Sequence, residues 1–155
     1  MKTLTLEADL SPVTDKDKGW KRIQRELRIL NRRSLFIGYP KGKTTQFNIN
    51  KAFWNEYGTS RIPSRPFNRT TFDRFQSKVI KYQKTLMRQV YRGKINARIA
   101  FTNLGNRYVG YIRRTIKAGP WTPNAPATIA RKGRDEPLID TREMYRTTKF
   151  DVRRK

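Results

Sequence analysis

The sequence contains no histidine and no cysteine. Without cysteine there are no disulfides and no thiolate chemistry, a composition that suits a reducing cytosol. Without histidine, a general base has to be a carboxylate, a lysine or a tyrosine. Carboxylates are themselves scarce: 12 Asp and Glu stand against 36 Lys and Arg. That scarcity speaks against a glycosidase-type carboxylate pair and against an oxygen-donor metal cage. Asp135, Glu136 and Asp140 form the one acidic cluster, and its simpler reading is a counter-ion set for Arg131, Lys132 and Arg134, or a helix cap. Long apolar runs are missing too. Nothing approaches a membrane span, and "MKTLTLEADL" alternates where a signal peptide needs a continuous apolar stretch. Gly42-Lys43-Thr44 has the look of the tail of a phosphate loop, but Ile37 stands where its first glycine belongs. The expectation is a soluble chain with no enzyme activity, no cofactor, no metal and no membrane partner.

What is present in excess is positive charge. The formal net charge is +24, and from Arg74 to Arg134 there are 15 Lys and Arg with no carboxylate among them. A field of this sign favours an anionic partner, either nucleic acid or an acidic protein surface. A merely solvated basic surface explains scattered lysines but not so long an acid-free span. At 155 residues, with 35% hydrophobic residues and a mean hydropathy of -0.88, one small domain with polar additions is expected. Aromatics at 12% exclude a plainly disordered chain.

Periodicity supplies the elements. Thr3 to Leu10 alternates as a strand, and Trp20, Ile23, Leu27 and Leu30 mark an amphipathic helix, with Thr14 or Asp15 as its cap and a basic outer face. Leu35 to Tyr39 reads as a short buried strand ended by Pro40 and a turn at Lys41-Gly42-Lys43. A short helix from Lys51 to Tyr57, capped by Asn50, stops at Gly58. The prolines of "IPSRPF" then hold residues 58–69 as an extended arm, whose aromatics pack on the chain's own core or on a neighbouring subunit.

From Thr70 or Thr71 a long helix runs to Gly93. Phe72, Phe75, Val79, Tyr82, Leu86 and Val90 form its apolar stripe, beside a basic stripe of Arg74, Lys78, Lys81, Arg88 and Arg92. With no acid interleaved to pair with them, these cations, with Arg113 and Arg114, are candidates for contact with an anionic partner. The next helix spans about Ile95 to Lys117, with Ile95, Ile99, Val109, Ile112 and Ile116 as core candidates, although Asn103, Gly105 and Asn106 weaken its middle. An ordered loop at about 119–141 follows, framed by Pro120, Pro123 and Pro126. After it come a short helix at "TREMYR", capped by Asp140 or Thr141, and a closing strand at "TTKFDV". The fold class expected is α+β, a small mixed sheet packed by amphipathic helices in a single domain over 1–155.

Two segments, "WNEYGTSRIPSRPF" (54–67) and "WTPNAPATIARKGRDEPLIDTREM" (121–144), resemble paired signatures of tailed-bacteriophage neck and tail-completion proteins. The first matches N-E-[FY]-G-T followed by I-P-[AS]-R-P-F. The second matches W-x-P-N-x-P-x-T-I-x-x-K-G leading into L-I-D-T-G, with Arg142 in place of the final glycine. The resemblance implies a structural virion protein, made in the host cytoplasm, that forms a six-fold or twelve-fold homo-oligomeric ring at the head–tail junction. Its partners would be portal or adaptor proteins, the tail tube or terminator, and packaged DNA. On this reading Trp54, Tyr57, Ile62, Arg65, Phe67, Trp121, Pro123, Asn124, Ile129, Leu138 and Asp140 serve contacts between subunits or tiers. Replacing Trp121 or Phe67 by Ala would then impair assembly more than folding. The alternative is a basic nucleic-acid-binding protein without catalytic activity; an enzyme acting on nucleic acid is a more distant third.

Overall fold

The computed structural model describes residues 19–155; the expected strand at 3–10 and the caps at Thr14 or Asp15 lie outside them. The chain runs α1 (Trp20–Arg32), β1 (Arg33–Gly38), α2 (Gln46–Tyr57), α3 (Phe67–Tyr91), α4 (Ala97–Ala118), α5 (Pro126–Lys132), α6 (Glu143–Thr147) and β2 (Lys149–Arg154). The architecture is α+β. Among the described residues the sheet is a two-stranded antiparallel ribbon rather than a mixed sheet, with Leu35 opposite Val152 and Ile37 opposite Phe150. A two-stranded ribbon is marginal alone. Here it lies against α4, where Gly105 makes the contact possible: a Cβ at Gly105 would come within 2.5 Å of the Phe150 ring. That glycine, which weakens the helix in the sequence, is the seat of the strand in the structure, and α4 runs through it unbroken. Beside the ribbon, Lys43 and Arg153 each lie 2.7 Å from the Asp151 carboxylate, and their hydrogen bonds hold its pKa down to about 2.

Helices α3 and α4 form the spine. One core cluster gathers Ala52, Phe67, Ile112, Ile116, Leu138 and Met144; a second joins Leu86, Val90 and Ala100, with Leu30 packed against it. Of the expected core stripe, Phe75, Leu86 and Val90 are buried on α3 but Phe72 is exposed. On α4, Val109, Ile112 and Ile116 are buried but Ile99 is exposed.

The starts of α3 and α4 are set by side chains from distant segments, while α2 and α6 begin at other local positions than the sequence suggests. Helix α3 begins at Phe67, ahead of Thr70, because both oxygens of the Glu56 carboxylate accept backbone N–H groups there, from Asn68 at 2.8 Å and Arg69 at 3.0 Å. Helix α4 is capped twice, by Asn96 through the Ile99 N–H and by buried Glu26 through the Ala97 N–H at 2.8 Å. Helix α2 starts at Gln46 behind Thr45 rather than behind Asn50. Helix α6 is preceded by Arg142, not capped by Asp140 or Thr141.

Candidate interaction surfaces

The two signature segments meet. Arg65, only 6% exposed, sends its guanidinium into the second segment, donating from Nε to the Thr122 carbonyl (2.9 Å) and from one terminal nitrogen to the Pro123 carbonyl (3.0 Å) and Asn124 Oδ1 (3.3 Å). Burial lowers its pKa from the usual arginine value, with nearby Asp135 acting in the opposite sense. Asp135 in turn accepts the backbone and side-chain N–H groups of Asn124, both at 2.9 Å. Trp121 folds back over the end of α4 and donates its indole N–H to the Ile116 carbonyl at 3.1 Å. Gly119 leaves room for that ring, which an added Cβ would meet at 2.3 Å.

Within the first segment most positions have an internal task. Gly58 turns the chain at φ 80, the Arg65 N–H donates to the Asn55 carbonyl at 2.6 Å, and Thr59 Oγ1 accepts the N–H groups of Arg61 and Ile62. The signatures are therefore a clasp that fastens the arm and the loop to the body. Five of the expected contact residues, Ile62, Arg65, Asn124, Leu138 and Asp140, line one cleft of about 270 Å³ between α2, the arm and α5. Ile129 is half-buried and Pro123 exposed. The acidic residues near the cleft are engaged as counter-ions, Asp140 with Arg131 and Glu136 with Arg134.

Some expected contacts prove internal. Phe67 is completely buried, edge-on to Tyr39 in the main core, and cannot touch a second subunit while the chain is folded; Leu138 belongs to the same core and reaches the surface only in the wall of the cleft. Tyr39, hydrogen-bonded through its hydroxyl to the Met144 carbonyl, has a pKa raised to about 12 by burial. Arg113 is likewise committed, donating to the carbonyls of Tyr145, Arg146 and Thr148 at 3.1 to 3.3 Å and fixing the entry to β2. Arg22 does the same for the end of α3 through the carbonyls of Val90 and Tyr91.

Among the described residues, two solvent-facing surfaces gather expected contact residues. On α2, Phe47 (60% exposed), Phe53 (59%), Trp54 (39%) and Tyr57 (61%) share one side of the helix. The Phe53 and Tyr57 rings lie 4.7 Å apart, and the opposite side buries Asn48, Ala52 and Glu56. Phe47 lies outside the helix expected from Lys51 because α2 begins five residues earlier, at Gln46; its seven-residue spacing to Trp54 is the signal in the sequence. On α3, Arg74, Lys78, Lys81, Arg88 and Arg92 are all exposed, as is Arg114 on α4. Arg107, absent from the sequence-based set, stands on the same spine with its guanidinium 4.1 Å from the centre of the Tyr82 ring. Nothing in the sequence pairs those two residues, which belong to different helices.

Among the described residues no helix is long and apolar enough to cross a membrane, and no cluster of acidic residues has the spacing of a metal site. No protein-family model matches the chain, and no curated protein and no solved structure matches it either.

Proposed function

We propose that this chain is a structural protein that works by assembly, forming a ring at the head–tail junction of a tailed phage between capsid portal and tail. The observation that carries the assembly reading is the aromatic side of α2. Four large rings on one short helix, Phe47, Phe53, Trp54 and Tyr57, are 39 to 61% exposed, and none of them belongs to the core clusters of the described residues. Exposed apolar patches of this kind mark contact sites, and aromatic residues are enriched at the centres of protein interfaces. The cleft formed by the clasp opens beside this helix, with Lys51 and Asn55 of α2 in its wall. The phage assignment rests on the resemblance of the two signature segments. A role in building the junction, without catalysis, agrees with a chain that has no histidine or cysteine and in whose second segment Glu136 and Asp140 are engaged in ion pairs and Asp135 in hydrogen bonds to Asn124.

The test is the solution mass of the purified chain by light scattering, at moderate and then high salt, alone and with portal or tail-tube proteins added. A closed oligomer, or one formed on adding those partners, is the expected result. A chain that stays monomeric in every mixture would remove the proposal.

A further inference from the structure

We infer that the outer ridge of α3, with Arg107 of α4, is a docking surface for the phosphate backbone of duplex DNA, bound without regard to base sequence. The inference goes beyond the assembly reading and does not depend on it. Arg74, Lys78, Lys81, Arg88 and Arg92 succeed one another by four, three, seven and four residues. That spacing confines them to an arc of roughly 80° along about 27 Å of continuous helix. The ion pairs among the described residues all lie elsewhere, on α1, by the ribbon and around α5. Like charges four residues apart work against a helix, and no ion pair offsets that repulsion along this row.

Three of the cations, Arg74, Lys78 and Arg107, lie over aromatic rings. The Arg74 guanidinium lies 5.6 Å and the Lys78 ammonium 5.7 Å from the centre of the Phe75 ring, which stacks on Tyr111 at 4.3 Å and 3°. Arg107 covers Tyr82 on the same helix pair. Rings beneath and charges above make a surface whose outward face is cationic.

The chemistry of the partner follows from what this surface has and lacks. Protein interfaces deplete lysine and centre on an aromatic or apolar anchor; here the ridge is lysine and arginine, and Phe75 is buried. Single-stranded nucleic acids bind on successive open aromatic faces; here Phe75, Tyr111 and Tyr82 are covered by cations or by each other, and the exposed Phe72 and Tyr91 stand far apart, toward the two ends of α3. A straight convex rod of positive charge fits a regular polyanion, and about 27 Å matches the rise of roughly eight base pairs.

The experiment measures binding of a short labelled duplex of random sequence by fluorescence anisotropy, from about 50 to 200 mM salt. Lys78→Gln, Lys81→Gln and Arg88→Gln are combined, and Arg28→Gln, Arg61→Gln and Arg146→Gln form a control of equal charge loss. Because each phosphate contact adds about 0.9 to the salt slope, the ridge variant should lose nearly three units of slope and at least about tenfold in affinity at low salt, while the control keeps its slope. Equal losses in both variants would assign binding to net charge alone and overturn the inference. So would no binding of duplex at all, tighter binding of the single strand, or labelled polyglutamate binding with the same dependence on the three ridge residues. Light scattering in the same buffers reads the oligomeric state separately, so a failure of assembly is not mistaken for a failure of this surface.

Discussion

Helices α2 and α3 both present one side to solvent, but they are built in opposite senses. Helix α3 follows the usual rule, with Phe67, Phe75, Leu86 and Val90 inside and cations outside. Helix α2 inverts it. Its inner side is Asn48, Ala52 and Glu56, and its outer side is Phe47, Phe53, Trp54 and Tyr57. The inner side of α2 is held by polar work, with the Asn48 amide donating to Glu143 at 2.9 Å and Glu56 capping α3. Apolar burial on the opposite face is not what fixes this helix. Its aromatics are thus open to a partner, whereas on α3 Phe67 and Phe75 are buried and Phe72 and Tyr91 are exposed singly, nineteen residues apart. One surface is suited to another protein and the other to a polyanion.

The largest effect that would break this comparison is expected at the core. Phe67→Ala should destabilise the monomer by about 3–5 kcal/mol, read from urea unfolding. This reverses the expectation from sequence that Phe67 serves assembly rather than folding. Phe53→Ser with Trp54→Ser should leave monomer stability within about 0.5 kcal/mol, as for exposed sites generally. If the outer pair costs as much as Phe67, α2 is not inverted at all and the contrast disappears.

Next in size is the clasp. Arg65→Lys keeps the charge but loses the planar fork that reaches the Thr122 and Pro123 carbonyls together. It should cost about 1.5–3 kcal/mol, the range for hydrogen bonds to charged groups. Accelerated proteolysis within 119–141 should accompany that loss. An unchanged melting curve and cleavage rate would mean that the clasp does not hold the loop.

The smallest effect lies at Arg142. This residue sits at φ 61, in the left-handed region, at the position where the resembled signature has glycine. The left-handed conformation costs an ordinary side chain roughly 1–2 kcal/mol, against which glycine's freedom in the unfolded chain costs back about 0.4–1. Arg142→Gly should therefore raise stability by on the order of 0.5–1 kcal/mol and Arg142→Ala should not. A loss of stability in the glycine variant would show that the Arg142 side chain contributes there by another route.

The legible parts of the fold were those governed by local rules. The stops at Gly58 and Gly93 and the turn at Lys41-Gly42-Lys43 follow from residue types and their spacing, and all are present. The short strand β1 is present too, but it is half-exposed rather than buried, with Phe36 in solvent because the ribbon has one face on α4. The start of α2 was legible through the local cap Thr45, but Asn50 offered a competing one. Those of α3 and α4 were not, because Glu56 and Glu26 cap them from 12 to 13 and 71 residues earlier in the chain. For the same reason Arg65 and Arg113 looked like surface cations: backbone carbonyls are their partners, and carbonyls carry no sequence signature. The signature segments stood out in the sequence, but their role as a clasp did not. Exposure was hardest to see on α2, where the polar residues are the buried ones.

The measurement that bears most directly on the central claim is the solution mass of the wild-type chain beside that of the Phe53→Ser, Trp54→Ser variant, by light scattering under identical conditions with portal or tail-tube proteins present. The account predicts a closed oligomer for the wild type and a folded monomer for the variant. Equal masses for the two would contradict it, because the aromatic side of α2 would then take no part in assembly.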